Sequence, residues 1–232
     1  VLRRFVGATT IVSALDHALP QPDQLCGPFS ASVALTAVMG DDAPGVTALA
    51  VASRSAIWPG AIDSARPPGT PRITDGWDLL PRAASIDAAG TTAAGLTEGI
   101  ETATDHRVAV VPIVGPSVER LRLLLDRLAD GPFRFASLAN VHTAELTDFD
   151  WNVGHFVTVW GFDPVEDVVA IADTYRELGD PDMPPGCRTV STDALASAMS
   201  ERGLLLLVDS QDHHAAVDLV RSLDLRHDVW SV

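Results

Sequence analysis

A cysteine stands at residue 26 in the run QLCGPFSASVAL, one of only two cysteines in 232 residues. The small and apolar residues behind it predict a helix that begins at the cysteine itself. The unpaired amides and dipole of a helix N-terminus favour an anion. A thiol placed there loses its proton more readily and becomes a nucleophile. Gly27 puts no side chain beside the sulfur. A nucleophilic cysteine needs a base, and the base needs a group to orient it. Of the seven histidines, His17 lies on a predicted helix, His106 and His142 at element ends, and His213, His214 and His227 in a polar C-terminal stretch. His155 differs. It follows Gly154, which leaves room, and opens the alternating strand HFVTVWGFD, sharing a face with Val157 and Val159. The turn PVED predicts a hairpin into VVAIADTY, whose end returns beside His155. Asp173 therefore falls where a carboxylate accepts the imidazole N–H and stabilises the imidazolium. An oxyanion donor would complete the set: the Cys26 backbone N–H and a side-chain amide upstream. Gln21 and Gln24 both qualify. Gln21, held between Pro20 and Pro22, is preferred, because Gln24 has little chain with which to fold back over Cys26.

The elements that must position these residues are legible in outline. Helices are predicted over 3–18, 26–39, APGVTALAVASRSAIW, TTAAGLTEGIETA, SVERLRLLLDRLAD with Ser117 as N-cap, and STDALASAMSERG with Ser191 as cap and Gly203 as stop. Strands are predicted at RVAVVPIV, FRFASLANVH, the two hairpin runs and LLLLVDS. Residues 58–90 carry no clear element. Helices dominate the first half and strands the second, with no long linker between them, which predicts an α+β fold.

Composition narrows the function. Acidic residues outnumber basic ones 31 to 16, for a net charge of −15. There is no cluster of Lys and Arg to displace the counterions of a nucleic acid, so none is expected as a partner. No apolar run spans a bilayer and no signal-peptide pattern is seen, so a cytoplasmic location without membrane contact is expected. Two cysteines build no disulfide framework. Free thiols in a reducing compartment are the simpler reading, with a Cys26–Cys187 bridge formally possible. His213 and His214 lie near Asp209 and Asp212, but adjacent histidines on a solvated helix read as exposed, and no metal is expected. The acidic stretch TAELTDFDW precedes the His155 strand. Glu145, Asp148 and Asp150 are expected to border the cleft and favour a neutral or cationic substrate, with Trp151 offering it an apolar surface.

The blocks PQPDQLCGPFSASVAL and GHFVTVWGFDPVEDVVAIADTY resemble the papain-like cysteine peptidases, in the branch similar to bacteriocin-processing (double-glycine-type) peptidases. STDALASAMSERGLLLLV is similar to that family's closing helix and strand. The resemblance covers roughly residues 15–210. It implies a single papain-like domain with a mainly helical lobe over about 1–130, a mainly β lobe over about 131–210, a C-terminal extension over 211–232, and an active site in the cleft. It implies Cys26 as nucleophile, His155 as base and acid, Asp173 as orienter and Gln21 as oxyanion donor. Gly27, Gly154 and Trp151 would meet the substrate, a peptide or small amide, and no cofactor is needed. The activity implied is a peptidase or amidase acting through a thioacyl-enzyme. The same residues would serve an amide-forming or acyl transferase, and a catalytically silent peptide-binding module would keep the fold. One departure is local: the family has Asp-Pro after the orienting strand, whereas Thr174 follows Asp173 here.

Overall fold

The computed structural model describes residues 1–131, 133–148 and 150–231, with the backbone alone at 61 and 64. The chain is α+β. Its elements in order are β1 (Arg3–Arg4), α1 (Ala8–Ala18), α2 (Cys26–Met39), α3 (Val46–Ala52), α4 (Ala93–Ala103), β2 (Val108–Val114), α5 (Val118–Ala129), β3 (Phe135–His142), β4 (Gly154–Asp163), β5 (Val168–Ala172), β6 (Cys187–Ser191), α6 (Thr192–Ala198), β7 (Gly203–Asp209) and α7 (His213–Ser222). The strands form one open antiparallel sheet in the order β2-β7-β3-β4-β5-β6. β3 pairs with β4 only as far as Val159, and β1 takes the free edge beyond it, with Arg4 opposite Gly161.

Helices cover both faces of this sheet. Alternation along each strand sends one set of side chains to each face. On β2, Val111 and Ile113 join Leu121, Leu125, Leu195 and Val220 of α5, α6 and α7. Val108 and Val110 join Ile11, Phe29, Leu35 and Leu96 of α1, α2 and α4 on the other side. The expected division near residue 130 does not follow these layers. β2 comes from the region expected to be helical and pairs with β7 along its whole length. Residues 211–231 belong to the body too, since α7 packs on β2 and Trp230 is buried in the core beside α2.

α2 is buried nearly all round, which its composition requires. Ala31, Ala34 and Leu35 are fully enclosed. Two hydrogen bonds fix its first turns against β4: Ser30 Oγ donates to the Phe156 carbonyl at 2.9 Å, and Thr158 Oγ1 donates to the Ser30 carbonyl at 3.3 Å. Each satisfies a buried polar group, which would otherwise cost about 1–3 kcal/mol. Together they set the register between the residue that opens α2 and the residue that nearly opens β4.

Some boundaries differ from expectation. The helix predicted from residue 3 begins at Ala8, because Arg3 and Arg4 pair with β4. α3 stops at Ala52, where Arg54 takes a left-handed φ of 53° and the Ser55 amide turns back to the Ala50 carbonyl. α6 stops at Ala198, so Gly203 is not its terminator. Gly203 instead opens β7, where a Cβ would lie 1.9 Å from the Ile113 carbonyl oxygen, and only glycine allows β7 that close to β2. The caps at Ser117 and Ser191 form, each hydroxyl accepting from the amide three residues on. Among the described residues no helix is long and apolar enough to cross a membrane.

Candidate active site

The hairpin carries out the approach its spacing predicts. Asp163 Oδ1 accepts the Val165 and Glu166 amides and tightens the turn, and β4 and β5 run antiparallel back from it. At the far end Asp173 Oδ1 lies 2.9 Å from His155 Nε2. Both side chains are buried. Three donors converge on the carboxylate. His155 and the Thr174 amide (2.8 Å) use Oδ1, and Arg188 Nη2 (3.2 Å) uses Oδ2. The Thr174 contact needs a backbone N–H, which a proline at 174 would not have. Thr174 Oγ1 also stands 3.3 Å from His155 Nε2. Burial alone would favour the neutral acid, but the His155 charge and hydrogen bond, Arg188 and the Thr174 amide hold Asp173 below the ordinary carboxylate range.

With Nε2 committed to Asp173, Nδ1 is the ring nitrogen left to meet Cys26. The cysteine is half-buried at the first position of α2, whose N-terminus has no side-chain cap and no acidic residue in its first turn. Burial opposes the thiolate. The hydrogen bond to His155, the imidazolium charge and the Phe156 and Gly27 amides outweigh it, and Cys26 sits below its usual thiol value. Burial likewise opposes the imidazolium, but Asp173 and the Cys26 sulfur push His155 up to about 10. The two shifts act together: they favour a thiolate facing an imidazolium. Cys187 is the contrast. It is fully buried in the core, and burial raises its thiol to about 11. Both cysteines are free.

The two glutamines separate cleanly. Gln24 is bound at both ends to Trp58, its Nε2 donating to the Trp58 carbonyl at 2.9 Å and its Oε1 accepting the Trp58 amide at 2.7 Å. It anchors the segment after α3. Gln21 is buried and lines the same cavity as Cys26 and His155, with Nε2 donating to Tyr175 Oη at 2.8 Å. A second N–H remains on that nitrogen. The Tyr175 ring stacks on His155 with centroids 6.1 Å apart, and Trp151 meets His155 edge-on at 5.1 Å. Trp151 is therefore not a substrate surface. It is 3% exposed and shields the imidazole from water, in a cluster with Tyr175 and Leu178. Gly27 also serves packing. A Cβ there would press on Phe156, Leu96 and Thr91 at 3.3–3.4 Å, so its absence lets α2 approach β4.

A cavity of about 510 Å³ opens over the sulfur, lined by Gln21, Cys26, Asn140, Gly154, His155 and Arg202 among others. Residues 86–92 form another wall, which gives part of the featureless stretch 58–90 a place. The acidic stretch does not border this cavity as expected. Glu145 turns to Ser197 on α6, 3.2 Å away, and neither it nor Asp148 or Asp150 lines the cavity. Residue 149 lies outside the described residues. Arg202 lies there instead, and its guanidinium explains Gly154: a Cβ at 154 would lie 2.8 Å from Nη1. His213 and His214 stand away from the site, His214 pairing with Asp218 on the surface. Among the described residues no three His, Cys, Asp or Glu side chains gather as metal ligands would.

Four contributors were missing from the sequence reading: Thr174, Tyr175, Arg188 and Arg202. Arg188 lies on β6, an element not anticipated. Once β6 is known, the pairs Ile171–Arg188 and Ala172–Cys187 carry Arg188 to Asp173. Arg202 was absorbed into a helix that in fact ends four residues earlier.

The fold and site define a class: an antiparallel sheet clad by helices on both faces, with a cysteine, a histidine and an aspartate assembled at one end. The chain belongs to a family described as "Family of unknown function (DUF6885)", whose pattern matches residues 5–150 and 147–231. The first match contains Cys26, and the second His155, Asp173, Arg188 and Arg202. No curated protein matches the chain.

Proposed function

We propose that this protein is a papain-like cysteine enzyme that acts on an amide or thioester through a thioacyl intermediate. The observation that carries the reading is the buried Asp173–His155 pair, 2.9 Å apart, set against a cysteine at an uncapped helix N-terminus inside a cavity. A structural histidine and a structural cysteine have no need of a desolvated carboxylate with two further donors behind it.

In the proposed reaction, Cys26 Sγ attacks the carbonyl carbon and forms the C–S bond. The carbonyl oxygen takes the negative charge and is held by the Cys26 backbone N–H and the free Gln21 N–H. His155 then gives its Nδ1 proton to the leaving nitrogen or sulfur as that bond breaks. Water attacks the thioacyl carbon in a hydrolase, and an amine does so in a transferase. His155 recovers a proton from the incoming group, and Cys26 leaves as thiolate. Asp173 stays ionised throughout and steadies the imidazolium.

The test is turnover of a library of fluorogenic peptide amides and acyl thioesters by the intact chain. Some member should be turned over by the wild type and by neither Cys26→Ala nor His155→Ala, with a thioacyl adduct on Cys26 seen by mass. Turnover that survives Cys26→Ala, or an adduct on another residue, would overturn the reading.

A further inference from the structure

Arg202 is held by its backbone. Its amide donates to the Met199 carbonyl at 2.8 Å, its carbonyl accepts from Gly115 at 2.7 Å, and the next residue is pinned against Ile113. The side chain then runs across Gly154 into the cavity above Cys26. Nη1 donates to Asn140 Oδ1 at 3.3 Å, and Nε is buried without a partner. Among the described residues no carboxylate forms an ion pair with this guanidinium, in a chain whose acidic residues outnumber its basic ones 31 to 16. Glu201, its sequence neighbour, and the Cys26 sulfur are the anionic groups that bear on it, and burial still holds Arg202 below its usual value. Among the described residues that line the cavity, Asp87 is the one carboxylate. A partly desolvated guanidinium without a carboxylate is costly, and its planar fork matches a carboxylate brought by a ligand.

We propose that Arg202, with Asn140 beside it, binds a carboxylate on the substrate, so that the acyl compound processed at Cys26 carries a negative charge close to its scissile carbonyl. This rests on the acyl-transfer reading of Cys26. It reverses the preference for neutral or cationic substrates that the acidic stretch suggested. Gly154 is part of the same device, because any larger residue displaces the guanidinium.

Two alkylating reagents test it without a known substrate. Iodoacetate carries a carboxylate and iodoacetamide is its neutral counterpart. In both, the Cys26 thiolate forms a C–S bond as iodide leaves. The rate ratio, iodoacetate over iodoacetamide, is measured at Cys26 by mass at low salt. His155 contributes to the ratio in every variant and cancels between them. The ratio should fall about ten- to a hundredfold in Arg202→Gln. It should fall less in Arg202→Lys, and it should fall in Gly154→Ala, which leaves the arginine in place but moves it. A ratio unchanged in both Arg202→Gln and Gly154→Ala, with Cys26 still reactive to iodoacetamide, overturns the carboxylate site and leaves the triad intact. A Cys26 no more reactive than Cys187 towards either reagent overturns both readings at once.

Discussion

Replacing Asp173 with Asn removes one charge and keeps the shape. The carboxylate serves three donors: His155 and Thr174 share Oδ1, and Arg188 uses Oδ2. An amide has one acceptor. If its oxygen keeps His155 and Thr174, its NH₂ faces Arg188 Nη2, donor against donor at the present 3.2 Å. The larger effect is on charge. Carboxylate and imidazolium in contact have charge centres about 4 Å apart, worth about 4 kcal/mol at an effective dielectric of about 20. That is about three pKa units, acting in the direction in which Asp173 and the Cys26 sulfur raise His155 against its burial. Losing it moves the balance from thiolate–imidazolium towards thiol–imidazole by up to about 10³. The remaining hydrogen bond from Nε2–H to the amide oxygen softens this, so the equilibrium constant for thiolate–imidazolium is expected to fall about 10²- to 10³-fold, and the thiolate at about pH 6 falls with it. The assay is the rate of Cys26 alkylation by iodoacetamide at about pH 6, read per cysteine by mass, with circular dichroism to show the fold intact. Turnover should fall in Asp173→Asn yet stay above that of His155→Ala, since an amide still orients the ring. A folded Asp173→Asn protein that alkylates within about twofold of wild type would refute the assigned electrostatics.

Other outcomes follow from the same contacts. In the wild type, Cys26 should alkylate at neutral pH far faster than Cys187, which burial keeps protonated to about 11; equal rates in the folded chain would contradict this. Arg188→Met should lower stability by about 3–5 kcal/mol, because it leaves a buried carboxylate with one cation fewer and frees the Leu146 carbonyl that Arg188 Nη1 now binds at 2.6 Å; chemical denaturation measures it. Gln21→Ala should lower turnover of any substrate found while leaving the alkylation rate of Cys26 nearly unchanged, whereas Gln24→Ala should lower the melting temperature by freeing Trp58. Asp173 is lowered in the fold, so the stability it contributes is present above the ordinary carboxylate value and is lost as pH falls through the folded one. Melting curves below about pH 4 should therefore fall more steeply for wild type than for Asp173→Asn.

The parts of the site that follow from local rules were legible in the sequence. A helix starting at Cys26 and a hairpin turning at residues 164–167 each depend on neighbours in the chain, and together they bring Asp173 to His155. The layer arrangement was not legible, because β2 reaches the sheet only by pairing with β7, nearly a hundred residues later. Arg188 and Arg202 were hidden for a similar reason. Each owes its place to a tertiary contact: β6 pairing with β5, and Gly203 seating β7 against Ile113. The reading of Trp151 failed because an aromatic before a strand can face a substrate or seal a histidine, and only the packing with Tyr175 distinguishes the two. The acidic stretch misled through proximity in sequence, since Glu145 sits close to His155 in the chain yet bonds to α6.

The proposed chemistry requires that Cys26 exist as a thiolate because His155 and Asp173 make it one. Thiolate absorbance in the ultraviolet reads this directly, as the difference between wild type and Cys26→Ser across a pH titration. The Cys26 signal should appear below the ordinary thiol range, and His155→Ala should move its onset up towards about 8.5. An onset at or above that value in the wild type, or one that His155→Ala leaves in place, would contradict it.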